Sequence, residues 1–579
     1  MYTIIELLNQ CVSNAFEEAG YDAKFGTVTI SDRADLCQFQ CNGAFGASKQ
    51  FRQAPFIAAE KVAEILLKSD IGNPRKFEKI EAVKPGFINI TLADEYLAYL
   101  LNEIINDANR GIPLVTDPQT IVIDYGGPNV AKPLHIGHLR AAIIGESIKR
   151  LASAMGNKVI GDVHLGDWGL QMGLIIAELK ERYGDSIPEI TVDMLSEVYP
   201  FASAKSKNDE VFKDKAQEIT SQLQSGHPEY IKIWKEIIKV SVSDLKNIYS
   251  SLSVNFDLWY GESDAQEYVD ELVGILNEKN LLIESDGALI VDVSENDSEP
   301  MPPVLIKTSN NSNLYATTDL ATILQRMKDF NPDKIWYVVD NRQSLHFKQV
   351  FRCAAKAGIV SEKNEMEFLG FGTMNGSDGK PYKTREGGVM KLEDLIKTVT
   401  DEAFGNLVNS EHVKAMNEEE KRTLAKKIAI SAVKFGDLIN HRSRDYIFDI
   451  DKFLSFEGKT GPYILYNVTR INSILKKTGA DGVAKPLTAF ETKAERDLIL
   501  KLICSGEVFK QALADKAPNY ICENAYQLAN NFSKLYQCCN IANEPNEERK
   551  NDLLALISVT KRTITAHLDT LGIETVENM

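Results

Sequence analysis

Between residues 121 and 165 an apolar strand, a polar loop, a helix and a second strand follow one another closely. IVIDY (121–125) reads as a short buried strand, LRAAIIGESIKRLASAM has helical periodicity and stops at Gly156-Asn157, and KVIGDVHL (158–165) is the returning strand. This order implies a parallel pair joined by a right-handed crossover, the building block of a doubly wound sheet. Such sheets hold ligands beyond the carboxyl ends of their strands. PNVAKPLHIGH, running from Pro128 to His138, falls at that position.

The loop carries His135 and His138 three residues apart, around Gly137. Zinc hydrolases space two histidines at i, i+4 with a glutamate between them, and a metal here would need further ligands such as His164, Asp162 or Asp167. A packing role is also open, although the helix could pack without polar residues at either position. Phosphate fits the position best, because free backbone N–H groups and the positive end of the dipole at a helix start favour anions. Two imidazoles there can donate hydrogen bonds to a phosphoryl group that gains charge as it is attacked, and Gly137 lets a flat base or ribose approach the backbone.

A chain of 579 residues exceeds what one core can hold, so roughly three or four domains are expected. Residues 1–110 alternate helix, polar segment and helix before EAVKPGFINITL, where Pro85-Gly86 suggests a turn into a strand; ANRGIPLVTDPQ (108–119) reads as a linker. Residues 111–400 form the α/β domain, with a polar, helix-rich insertion at about 175–300. After it, ALIVDV, PPVLIK, KIWYVVD and EFLGFG resume the sheet pattern. From about 400 strands are expected to vanish, with a helical connector at 401–455 and an all-α region at 456–579.

A net charge of −17 spread evenly would repel polyanions, so a nucleic acid could be held only by local basic patches. KRTLAKK (421–427) and HRSR (441–444) are candidates, though such runs are more often solvated helix faces. The eight cysteines form no paired CxxC clusters, which argues against structural zinc and a secreted disulfide framework; Cys37 and Cys41 are expected as small reduced apolar residues. No apolar run approaches the roughly 20 residues of a membrane span, and Glu6 stands where a signal peptide would be basic, so a cytoplasmic protein is expected.

DYGGPNVAKPLHIGHLRAAIIGESIKRL followed by HLGDWGLQMG (164–173) resembles the signature region of class I aminoacyl-tRNA synthetases, specifically the arginyl-tRNA synthetase family of bacterial type. The resemblance continues in order: LYATTDLA (314–321), YVVDNRQSLHF (337–347), DGKPYKTREGGVMKLEDL (378–395), EGKTGPYILYNVTRI (457–471) and the closing LGIETVENM. ADLCQFQCNGAFGASK (34–49) and KPGFINITL (84–92) are similar to the extra N-terminal domain of arginyl enzymes.

This resemblance implies a Rossmann-type doubly wound parallel sheet flanked by an α+β N-terminal domain and an all-α anticodon-binding domain, with 401–455 touching the tRNA stem. It implies a monomeric ligase that joins L-arginine to ATP, supplied with Mg²⁺, as arginyl-adenylate and then charges its tRNA. Arginine's own carboxylate attacks, so positioning and charge stabilisation carry the chemistry. ATP would meet His135, His138, Gly137, Pro128, Gly166, Asp167 and Gly169. A planar five-donor guanidinium calls for carboxylates, and Asp124 and Asp319 with Tyr315 stand where the family places that pocket; Asn129, Gln343 and His164 would hold the rest of arginine. As residues alone, the two aspartates could equally be cap or turn residues. Lysine offers no such fork, so an editing domain is unnecessary.

For tRNA the resemblance implies Tyr463, Tyr466, Asn467 and Arg470 on the first helix of the anticodon domain, and Gln40, Asn42 and Lys49 in the N-terminal domain. Several positions depart from the family's pattern. The catalytic lysine loop reads KPYKTR, so Pro381 and Thr384 occupy the two lysine positions; Lys380, Lys383 and Arg385 remain to neutralise pyrophosphate, and Lys132 resembles a compensating lysine. GGPN replaces the commoner SSPN or SAPN, Val163 stands where Asn is usual, and Leu465 where Gln is usual.

Overall fold

The computed structural model describes residues 2–307, 315–376, 378–380, 390–408, 413–480 and 485–579. In the N-terminal domain the helix Ile4–Glu18 is started by a reciprocal cap: the Thr3 hydroxyl accepts the Glu6 N–H while the Glu6 carboxylate accepts that of Thr3. Four strands, β1 (Val28–Ile30), β2 (Phe39–Cys41), β3 (Phe77–Val83) and β4 (Phe87–Leu92), form an antiparallel sheet in the order β1-β2-β4-β3. The hairpin between β3 and β4 turns at 84–86, where Pro85-Gly86 placed it. Cys37 and Cys41 are buried in this domain, and burial pushes the Cys41 thiol up to about 11.

The second domain opens with β5 (Thr120–Tyr125), the helix Ile136–Ala154 and β6 (Lys158–Asp162), the parallel crossover expected from sequence. The insertion follows as helices, including Val192–Lys205, Glu210–Gln224 and Pro228–Ser251. It ends in β7 (Leu282–Ser285), β8 (Ala288–Val291) and β9 (Val304–Lys307). ALIVDV and PPVLIK therefore do not continue the parallel sheet: β7, β8 and β9 pair antiparallel as a sheet of their own. The main sheet is completed by β10 (Lys334–Val338) and β11 (Glu365–Phe368), in the parallel order β11-β10-β5-β6. The chain leaves β5 toward β6 on one side and returns through β10 on the other. A crevice thus opens beyond the carboxyl ends of β5 and β10.

Strands do not end at 400, because β12 (Met374–Asn375) pairs parallel with β13 (Tyr446–Ile447). The helix Leu392–Val408 also runs through the boundary expected there. The HRSR run is built into this region: the fully buried Arg140 guanidinium meets Asp437 Oδ2 at 2.9 Å and donates to the carbonyls of Gly372 and Arg444 at 2.6 and 3.1 Å. From Gly461–Thr478 onward the described chain is helical, ending in Glu547–Thr570. This bundle docks on the N-terminal domain, where Arg496 reaches Glu78 and the Leu92 carbonyl at 2.9 and 2.7 Å and Asn102 pairs with both backbone groups of Leu487. Among the described residues no helix is long and apolar enough to cross a membrane.

Candidate active site

A cavity of about 300 Å³ occupies the crevice, walled by the ends of β5 and β10, the loop from Gly126 to His138 and the start of the helix Tyr315–Phe330. Its lining brings together Asp124, Asn129, Lys132, His135, Gly137, His138, His164, Tyr315, Asp319 and Gln343. The loop leaves β5 through Gly126 at φ +72°, a conformation that L side chains rarely adopt.

His135 is the N-cap of the helix Ile136–Ala154. Its Nδ1 accepts the Gly137 N–H at 3.1 Å, and its own N–H donates to His138 Nδ1 at 3.0 Å. A Cβ on Gly137 would lie 2.9 Å from the His135 ring, so a side chain there would displace the capping imidazole. With both Nδ1 atoms accepting, each neutral ring carries its proton on Nε2, leaving one outward donor per histidine. Burial holds both imidazoles below the usual histidine range. Lys132 and then Arg342 add to the effect at His135; His135 and then Lys132 add to it at His138, which falls to about 3. The pair is therefore a fixed set of neutral N–H donors at a helix N-terminus, suited to phosphate oxygens.

Opposite lie the carboxylates. Asp319 is 8% exposed, and His346 Nε2–H donates to its Oδ2 at 2.5 Å while the Tyr315 ring leans on that imidazole, centroids 4.8 Å apart. Asp124 is already partly engaged: Arg326 Nη2 donates to its Oδ2 and to Asp162 Oδ2, both at 2.6 Å. Burial raises the Asp124 carboxyl, with Arg326 opposing that rise. Gln343, in the short turn Asn341–Gln343 capped by Asp340, points a buried and unpartnered Oε1. His164, at φ +38°, keeps a buried Nδ1 without a partner. Ligand atoms of Asp124, Asp162 and His164 lie within 4.8 Å of one another, and Arg326 Nη2 binds both of the carboxylates.

Four residues expected at the nucleotide do not line the cavity. Pro128 O accepts from Gly166 N at 3.1 Å, Gly169 starts the helix Leu170–Tyr183, and the Asp167 carboxylate accepts from the Ser263 N–H and hydroxyl at 3.0 and 2.6 Å. Gly166 braces the loop, its carbonyl also accepting from Val130 N at 3.0 Å. Burial raises the Asp167 carboxyl to about 6 against the Ser263 bonds. Lys380 is exposed, and Lys383 and Arg385 lie outside the described residues. The backbone just beyond them is tied to the histidines, since Ile136 N donates to Met390 O at 3.2 Å and Leu392 N to Leu134 O at 2.9 Å.

Sequence reasoning missed Arg326 and Glu262, and gave His346, the histidine of the segment YVVDNRQSLHF, no role of its own. Arg326 was findable: it follows Asp319 by seven residues, two helical turns, so both face the same way. Glu262 has its carboxyl raised to about 7, first by burial; His164 opposes the rise, and Asp167 and Asp319 add to it.

In the C-terminal bundle the Arg470 guanidinium sits 4.5 Å from the Tyr466 ring and 4.8 Å from that of Tyr536, and Tyr463 OH lies 3.3 Å from Ser533 Oγ. Asn467 corrects the expectation of an RNA contact. It is fully buried, donating to Tyr463 O and accepting from Ser533 Oγ, both at 2.8 Å. In the N-terminal domain Asn42 and Lys49 are exposed, whereas Gln40 is held by Asn89 at 2.9 Å.

A parallel sheet with this switch point, entered by a neutral histidine pair, is the catalytic fold of class I aminoacyl-tRNA synthetases. Residues 100–450 match the family model for tRNA synthetases class I (R), catalytic domain. Residues 464–579 match the DALR anticodon binding domain, and 3–92 the arginyl tRNA synthetase N terminal domain. An arginine–tRNA ligase of Alkaliphilus oremlandii is 47% identical over 595 residues, and one of Agathobacter rectalis 48% over 602, each covering all of both chains. The chain belongs to the arginyl-tRNA synthetase family. Its fold is also that of the arginyl-tRNA synthetases of Plasmodium falciparum (TM-score 0.84, 24% identity) and Thermus thermophilus (0.79, 22%), with both chains covered fully in each comparison.

Proposed function

We propose that the cavity beyond β5 and β10 binds ATP and L-arginine together, forms arginyl-adenylate with release of pyrophosphate, and passes the arginyl group to the terminal ribose of its tRNA. The observation that carries this reading is the single cavity with two fixed neutral imidazole donors on one wall and the carboxylates Asp124 and Asp319 on the other. The attacking group is arginine's carboxylate, so the protein need only align it with the α-phosphate and stabilise the developing charge. His135 and His138 Nε2–H groups receive the phosphate oxygens, Lys132 adds positive charge beside them, and Mg²⁺ arrives with ATP. Asp319, oriented by His346 and flanked by Tyr315, takes the guanidinium fork together with the free oxygen of Asp124. Gln343 Oε1 accepts from the α-ammonium group, and Asn129 completes that end.

The tRNA lies across the chain, read at the anticodon by the bundle around Tyr463, Tyr466 and Arg470 and touched at its outer corner near Asn42 and Lys49. The protein works as a cytoplasmic monomer. ATP–pyrophosphate exchange with each amino acid, run with and without tRNA, tests the reading. Arginine alone should support exchange, and only with tRNA present; exchange with another amino acid, or tRNA binding without charging, would refute it.

A further inference from the structure

We infer that Asp162 and Arg326, neither of which lines the cavity, set the enzyme's demand for a positively charged side chain by fixing the charge behind Asp124. Arg326 is fully buried and Asp162 entirely so. One guanidinium nitrogen, Nη2, is shared between Asp124 Oδ2 and Asp162 Oδ2, 2.6 Å from each. Asp124 and Asp162 stand opposite each other in the β5–β6 register, so the two carboxylates are fixed as neighbours by the backbone. Two carboxylates and one guanidinium carry a net charge of −1. Of the three, only Asp124 reaches the cavity wall.

The consequence is electrostatic. Without Asp162, Arg326 would neutralise Asp124 completely, and a substrate guanidinium would meet a carboxylate whose charge is already matched. With Asp162 present, Arg326 is shared, and the unmatched negative charge is expressed at the one oxygen facing the substrate. The other contacts of Arg326 are the buried Asp162 and the Tyr337 ring, 5.4 Å from the guanidinium carbon. Asp162 and Arg326 are thus positioning residues that act on arginine through Asp124. This inference rests on the proposed arginine site and specifies how its charge is set.

The test uses the full-length protein, tRNA charging, and L-citrulline as a competitor, since its ureido group has the shape of a guanidinium without the charge. Asp162→Asn keeps an oxygen for Arg326 and removes one charge. KM for arginine should rise about tenfold or more, KM for ATP should stay within twofold, and the preference for arginine over citrulline should shrink. The double variant Asp162→Asn/Arg326→Met restores the net charge of −1 and should recover most of the arginine affinity. A purely structural role predicts the opposite, with the double variant weaker than the single. Wild-type protein that charges arginine, combined with Asp162→Asn unchanged in KM for arginine, overturns the inference while leaving the activity standing. Should the single variant not fold, a double variant with normal KM for ATP and a tenfold loss for arginine overturns it equally. Wild-type protein that does not use arginine overturns the reading on which both rest.

Discussion

Replacing Asp319 by Asn separates recognition of arginine from chemistry on ATP. The carboxylate is 8% exposed, has one oxygen committed to His346, and offers the other beside Tyr315. Asn keeps an oxygen for the His346 N–H, so the local structure survives. What disappears is the charge under the substrate guanidinium. A hydrogen bond to a charged group contributes roughly 1.5–3 kcal/mol, and two unit charges about 4 Å apart at an effective dielectric of about 20 attract by about 4 kcal/mol. A loss of about 3 kcal/mol, the upper end of the first figure and below the second, corresponds to roughly a 100-fold rise in KM for arginine. Steady-state aminoacylation, varying arginine and ATP in turn, reads the split: KM for arginine should climb while KM for ATP and kcat move little. Equal rises in both KM values, or a fall in kcat with KM for arginine unchanged, would show that Asp319 serves the fold or the chemistry and not the guanidinium.

Three further outcomes follow from the same geometry. His138→Ala removes one donor to the phosphates and should lower kcat for pyrophosphate exchange by about 100-fold with little change in KM for arginine, the range found for loss of one transition-state donor. The Glu262 carboxyl, raised to about 7 by burial in the free protein, is protonated below that pH and charged above it; a bound cation favours the charged form. KM for arginine should therefore fall as pH rises from 6 to 8, Glu262→Gln should flatten that dependence, and His138, held neutral by burial down to about pH 3, should add no acid limb to kcat in this window. Arg140→Met leaves Asp437 buried without its partner and should cost about 3–5 kcal/mol, seen as a large drop in melting temperature that Asp437→Asn in the same chain largely reverses.

What could be read from sequence follows from how local each interaction is. The β5–helix–β6 unit is built from contacts within some 45 residues, and its periodicity and its glycines appear in one window. The placement of both histidines at a helix N-terminus was legible in the same window, because a strand followed at once by a helix fixes where that N-terminus points. ALIVDV and PPVLIK misled because an apolar run shows that a strand is buried and is silent on which strand it pairs with; that choice is made by segments far away in the chain. KPYKTR showed that the usual lysines are missing. Yet the attachment of 390–392 to the histidine helix is made by backbone bonds that carry no side-chain signature.

The polar residues that wire the molecule together were the least legible. Arg326 reaches Asp124 across 202 positions, and Lys434 reaches the carbonyls of Leu252 and Gly572 across 182 and 138. In the sequence these residues look like the solvated face of a helix, as Asn467 looked like an RNA contact. A buried lysine is the harder case to sustain, since burial lowers Lys434 to about 7 and two carbonyls offer no full negative charge in return. Its position accounts for the cost. Lys434 lies in the connector helix Glu418–Leu438, Leu252 ends the long helix of the insertion, and Gly572 follows the last helix of the bundle. Arg150, on the histidine helix, donates to the carbonyls of Ser253 and Asp569 at 2.9 and 3.2 Å beside it. Insertion, connector, bundle and catalytic helix therefore meet at one set of backbone carbonyls. Tyr249, from the same insertion helix, donates its hydroxyl to Gly126 O at the root of the substrate loop. The polar 175–300 segment, which as sequence had no assignable part, is the strut between the C-terminal bundle and that loop.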